Sequence, residues 1–194
     1  MGQLVHGPSR TVFYGKGVRP ALDMDLPVER VHWKIQTWNR DPQNARALYV
    51  PYFDARDHAE KLDDLFGWDG WEDLYSIFEV KEYAVVVCEL RVHTGTPENP
   101  WVIKSGTSEI TGAGDTAVKG GESDAFKRAC MKLGVGRNAY RLPTIWASCV
   151  VRGEGDRARP VMPDGHDARL TAQAMKMMAG RDPDPGMDAG APFE

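Results

Sequence analysis

Little in this 194-residue chain would support covalent or metal chemistry. Its three cysteines, Cys88, Cys130 and Cys149, are odd in number and fall in no CxxC spacing, which argues against a disulfide framework and against a zinc site. His6, His32, His58, His93 and His166 form no HExxH or HxH pair, and no GxSxG or Cys-His pattern nominates a nucleophile, so no enzymatic activity and no cofactor are expected. His58, four residues from both Asp54 and Leu62, reads as a helix-surface residue. No apolar run approaches a membrane span, and the mean hydropathy is -0.46. The opening residues MGQLVHGPSRTVF lack a basic stretch followed by an apolar run, so export is not expected and the cytoplasm is the expected compartment. An excess of positive charge is missing as well: the formal net charge is -4, which on its face argues against a polyanion as partner.

What is present is charge kept apart. Asp54 to Asp73 holds eight acidic residues against Arg56 and Lys61, a local net of 2 - 8 = -6. Lys119 to Arg141 holds six basic residues (Lys119, Lys127, Arg128, Lys132, Arg137, Arg141) against Glu122 and Asp124, a local net of 6 - 2 = +4. Separate acidic and basic faces follow, and an anionic partner belongs on the second.

The length allows one domain with one core. Residues 1–32 mix Gly, Pro and short apolar pieces and read as loop. All six Trp lie between Trp33 and Trp146, whereas 152–194 has Phe193 as its one aromatic and is dense in Pro, Gly and charge. The domain is therefore expected over 1–150, and 151–194 as a flexible tail compatible with a short Met-rich helix over 169–178. In DARDHAEKLDDLFG, Ala55, Ala59, Leu62 and Phe66 recur at helical spacing, with Asp54 as N-cap and Gly67 as stop. Three strands are expected next, over 74–80, 83–93 and 101–110, with turns at Lys81-Glu82 and Gly95 to Pro100. A second helix over 123–133 puts Phe126, Ala129, Cys130 and Leu133 on one buried stripe and ends at Gly134. On it Arg128 and Lys132 point away from the stripe, and Lys127 lies on its flank. The fold class is thus α+β, an antiparallel meander covered by a helix.

Two constellations are left open by the residues themselves. GAGDTAVKGGESDAFKRACMKLGVGR combines a Gly-rich entry, a basic helix and a Gly-rich exit, but it is not a P-loop, because Lys119 precedes its glycines. It reads either as a solvated amphipathic helix or as a surface on which Lys119, Lys127 and Arg128 neutralise successive phosphates. Trp33, Trp38, Tyr49, Tyr52 and Phe53, near Lys34, Arg40 and Arg46, read either as core or as stacking platforms among phosphate contacts.

The string YFDARDHAEKLDDLFGWDGW (52–71), the three strands and KGGESDAFKRACMKLGVGRNAYRLP (119–143) resemble the annealing domain of the Rad-fifty-two/Rad-twenty-two recombination mediators, among them the short bacterial branch of the DNA damage response protein A type. The similarity spans roughly Trp33 to Trp146. It implies a β-β-β-α core, a ring of many copies, and single-stranded DNA in a positively charged groove, with no nucleotide or metal needed. It carries over a DNA-contacting Lys-Arg pair to Lys127 and Arg128, a lysine eight residues earlier to Lys119, and a tyrosine before the first helix to Tyr52. The family's next helix basic residue falls on Met131, beside Lys132, and its upstream arginine on Arg40 or Arg46. The function implied is DNA-end protection in double-strand break repair, with the 3′ end favoured, plus strand annealing; recombinase loading is not implied, the tail being short. In a cytoplasmic setting that means association with the nucleoid. The rival readings are an RNA-binding or chaperoning module and a small-molecule enzyme using the basic helix as an anion site.

Overall fold

The computed structural model describes residues 23–41, 43–80, 83–93, 100–112 and 114–180. The turn expected at Lys81-Glu82, nearly all of the one from Gly95 to Pro100, and the loop reading of 1–22 lie outside the described residues.

The chain forms two compact units with separate cores where one core was expected. The first comprises residues 23–24 and 55–135. Its α1 (Ala55–Phe66) leads into an antiparallel meander of β3 (Trp71–Val80), β4 (Tyr83–His93) and β5 (Trp101–Ile110), in that spatial order, followed by α2 (Asp115–Leu133). This is the β-β-β-α arrangement expected, with β3 three residues longer at its start. Alternation on β4 buries Val86, Cys88, Leu90 and Val92, and these pack against Ala125, Phe126, Ala129 and Cys130 of α2.

Helix α2 starts eight residues before the expected position and takes in Lys119 and the Gly120-Gly121 pair. The glycines that look like a loop are a helix–sheet contact. A Cβ on Gly121 would sit 3.1 Å from Val86 Cγ2 and 3.3 Å from Ile110 Cγ1. On the sheet side, a Cβ on Gly106 of β5 would sit 2.0 Å from the Ala125 carbonyl oxygen. Only a bare backbone lets the helix lie this low on the sheet. His58 corrects another expectation. It is fully buried, because α1 packs one flank on the core instead of exposing its whole polar side. Trp71 ties α1 to β3 by donating from Nε1 to Asp63 Oδ1 at 2.8 Å.

The second unit comprises 25–54 and 136–180. Strands β1 (His32–Trp38), β2 (Arg46–Tyr52) and β6 (Ile145–Ser148) form an antiparallel sheet with β2 in the centre. Strands β7 (Val150–Arg152) and β8 (Arg159–Val161) pair with each other, and α3 spans His166–Ala179. The helix expected over 169–178 is therefore longer, and it is docked. Leu170 and Ala174 are buried with Trp33, Tyr49, Phe53 and Ile145, and Trp33 Nε1 donates to Thr171 Oγ1 at 3.0 Å. Leu170 and Ala174, one turn apart, give a narrow buried stripe, which composition alone does not single out.

Candidate nucleic-acid interface

The nominated residues divide between the units. Lys119, Lys127, Arg128 and Lys132 all stand on α2; Arg40, Arg46 and Tyr52 belong to the β1–β2 hairpin. The basic run from Lys119 to Arg141 is likewise not one patch, since Arg137 and Arg141 fall in the second unit, where Arg141 Nη2 lies 2.6 Å from Asp25 Oδ1.

Along α2 the acids Asp115, Glu122 and Asp124 occupy the first half, and the last nine residues carry Lys127, Arg128 and Lys132 with no acid. The helix macrodipole favours this order by itself. Arg128 and Lys132 do not stand free of the sheet, as the helical wheel suggests. Arg128 Nη1 donates to the Thr107 carbonyl at 2.6 Å and Lys132 Nζ to the Ser105 carbonyl at 2.5 Å, so both lie along β5, the edge strand of the meander. These contacts use one guanidinium donor of five and one ammonium donor of three. They also block an edge that would otherwise invite a further strand. Lys127 is the least accessible of the group: its side chain is 20% exposed and its Nζ lies 2.8 Å from Asp124 Oδ1 one turn earlier. Lys119 is exposed two turns before Lys127.

The hairpin decides between core and platform for the aromatics. Trp33, Tyr49 and Phe53 are buried, so stacking is overturned for these three; Trp38 is partly buried and packs against the same cluster. Burial also pushes the Tyr49 hydroxyl up to about 12, helped by the Cys149 thiol. Tyr52 stays half-exposed at the end of β2. Its ring centre is 5.6 Å from that of His32 and 5.7 Å from Lys34 Nζ, a cation–π contact. Burial first, then the Asp54 and Asp167 carboxylates, raise its hydroxyl above the usual range, which keeps it a neutral hydrogen-bond donor. Arg40 sits in the β1–β2 turn in the left-handed region, at φ +56°. Arg46 starts β2 and reaches across to β6, donating from Nη2 to the Trp146 carbonyl at 2.8 Å.

The pairing register adds Trp146, which the sequence did not nominate, and places Lys34, which it named only as a neighbour of the aromatics. His32 pairs with Tyr52, Lys34 with Val50, Leu48 with Trp146 and Arg46 with Ser148, so these eight share one face of the sheet, while Trp33, Ala47, Tyr49 and Ile145 share the other. Lys34 and Trp146 thus stand on the face that holds Arg46 and Tyr52. Period-two alternation in HWKI and RALYV was the available signal for it; the bulge between Ile35 and Thr37 interrupts the pattern. No three or more His, Cys, Asp or Glu side chains group as a metal site among the described residues, and none of the described helices is long and apolar enough to cross a membrane.

Residues 16–156 match the Rad52/22 family double-strand break repair protein. Over 147 residues, 76% of the chain, it is 29% identical to the single-stranded DNA-binding protein DdrA of Deinococcus radiodurans, and over 131 residues, 68% of the chain, it is 30% identical to that of Deinococcus deserti. The matched stretches span 66% and 60% of those two relatives. With most of its length matched, the meander and its basic helix included, the chain belongs to the Rad52/22 family of double-strand break repair proteins.

Proposed function

We propose that this protein is a non-enzymatic binder of single-stranded DNA that works as a closed homo-oligomer in double-strand break repair, shielding 3′ ends from nucleases and assisting annealing. One observation carries it: in a family member whose overall charge is negative, the acid-free half of α2 lays Arg128 and Lys132 along the edge strand β5, beside Lys127. Repeated around an assembly, that short basic stretch becomes a track for a phosphate backbone, which the isolated chain's charge would not support. Two DdrA relatives named as single-stranded DNA-binding proteins favour the same ligand. Contact to phosphate reads no sequence, which suits the handling of any broken end. A nucleoid location in the cytoplasm and independence from nucleotide and metal belong to this reading.

For the assembly, the support is apolar surface without cover. Helix α2 packs over β4 and β5 and meets β3 at Trp71, leaving apolar side chains further along the strand uncovered. There Tyr75 and Ile77 are exposed on the helix side, Leu74 and Phe78 on the other, and Ile103 and Trp101 follow on β5. Exposed apolar side chains on both faces of an edge strand, with more on the outer face of β5, fit the flank of a second copy.

The test is titration of a labelled single strand at several salt concentrations. Counterion release gives a log-log slope near -0.7 per phosphate contacted. Lys119→Ala is the cleanest probe, since this exposed side chain supports no described contact: the slope should flatten by about 0.7 with the melting temperature unchanged. Lys127→Ala/Arg128→Ala should flatten it by about twice that. An intact oligomer that fails to bind at low salt overturns the proposal, and a matched RNA strand that outcompetes DNA replaces the ligand. Slower nuclease attack on 3′-tailed than on 5′-tailed duplexes, and faster pairing of complementary strands, are the outcomes expected for protection and annealing.

A further inference from the structure

We infer that Trp146, on the edge strand β6, is a base-stacking residue of the single-stranded DNA site, and that it works together with Arg46 on the outer face of the β1-β2-β6 sheet. The inference rests on the ligand proposed above and adds to it a second contact surface, on the other unit.

Four observations meet at this residue. Trp146 is 46% exposed, although Ile145 and Ala147 beside it point into the core. A half-exposed indole on an edge strand offers a flat π-face to a ligand at no cost in protein packing. Second, register places it opposite Leu48 and on the same face as Arg46, Lys34 and Tyr52. Third, the Arg46 guanidinium is held at the backbone of Trp146 itself, 2.8 Å from its carbonyl oxygen, so a positive charge is fixed at the same strand position as the indole. That hydrogen bond takes one of five donors and leaves the planar fork oriented for a phosphate. Fourth, the sequences of the three strands, HWKIQTW, RALYVPY and IWAS, contain no Asp or Glu at all, in a chain with an acidic excess. The carboxylates of Asp54 and Asp167 lie near the His32–Tyr52 end of the face, and the strands themselves supply cations and aromatics alone, the chemistry that tracks a single strand: the cations hold phosphates while the rings accept bases of any identity.

The experiment uses the full chain and labelled oligo-dT at several salt concentrations, with Trp146→Leu, Trp146→Phe and Arg46→Ala as variants. Leucine keeps the apolar contact on β6 and removes the π-face; phenylalanine keeps both in part. Stacking predicts a loss of roughly 5- to 150-fold for Trp146→Leu, with the salt slope unchanged because no charge is removed. Trp146→Phe should retain most of the affinity, and Arg46→Ala should lose affinity and flatten the slope. Parental affinity in a folded, assembled Trp146→Leu protein overturns the inference and leaves the function standing. A parent that does not bind at low salt overturns the function, and this inference with it. If Trp146→Leu does not assemble, loss of indole quenching by oligo-dT in Trp146→Phe relative to the parent supports the role, and unchanged quenching rejects it.

Discussion

Arg40 holds a left-handed conformation in the β1–β2 turn, and that shape comes from its neighbours. Asn39 Oδ1 accepts from the Asp41 and Arg46 amides, its Nδ2 donates to the Asn44 carbonyl, and Asp41 Oδ1 accepts from Gln43 and Asn44. The turn is therefore over-determined, and a side chain with a Cβ at this φ carries strain. Arg40→Gly should leave stability equal or raise it by up to about 1 kcal/mol, read from the denaturant midpoint, so any loss of DNA affinity in it reports the charge alone. A different residue property governs alkaline behaviour. Burial, with the Asp73 carboxylate next, pushes the Cys88 thiol up to about 11 from its ordinary 9.0, and burial pushes Tyr49 up to about 12 from 10.0. Both groups are uncharged when protonated, and the unfolded chain loses those protons first. Stability from them is fully present below pH 9 and is lost as the pH rises from 9 to 12. Unfolding midpoints measured across that interval should fall; a flat profile would contradict the burial of these two groups. The sequence left Tyr49 between core and platform and did not place Cys88, because a lone Cys or Tyr gives no sign of its depth.

At the scale of elements, the contact of α2 with β5 is the feature on which both stability and the proposed groove depend. Gly106 sits where the helix backbone comes closest, with Ala125 O, Ala129 N and Arg128 Cβ all within 3.0 Å of the position its Cβ would take. Gly106→Ala should cost about 1–3 kcal/mol or more and lower the melting temperature, because two of those three atoms are backbone and cannot swing aside. It should also weaken DNA binding, since lifting the helix breaks the hold of Arg128 on Thr107 and of Lys132 on Ser105. A calorimetric scan alongside the salt titration separates the two effects. The meander strands and α1 were legible in the sequence, their apolar spacing being long and regular. The first turns of α2 were not, because glycine is a poor helix former in isolation and only the sheet beneath explains its presence. Strands β1, β2 and β6 were hidden for another reason: four to seven residues give too few repeats of the two-residue period, and the bulge in β1 shifts its phase.

For the whole molecule, the uncovered apolar side chains of β3 set the expectation of assembly. Ile77 and Phe78, 52% and 54% exposed, lie on opposite faces of that strand, so a partner copy would have to cover both. Ile77→Lys/Phe78→Lys leaves the buried core intact, and should keep the circular dichroism of the parent while reducing the mass measured by light scattering to that of smaller species. A parental mass would place the contact elsewhere. DNA affinity should fall with the mass, because each copy alone offers only a short run of phosphate contacts.

The sequence by itself determined the class of the protein. Helical and two-residue periods lay down an α+β meander with a covering helix, the segregated charge marks that helix as basic, and residues 16–156 carry the family. What only the tertiary structure decided is which side chains remain available. Burial removed Trp33, Tyr49 and Phe53 from the list of stacking rings, the strand register brought Lys34 and Trp146 onto the face of Arg46 and Tyr52, and the β5 edge fixed Arg128 and Lys132 in place. The physical reason is common to all three. Local patterns report how a segment curls and which side is apolar, whereas exposure depends on contacts between residues far apart in the chain, such as Leu48 with Trp146.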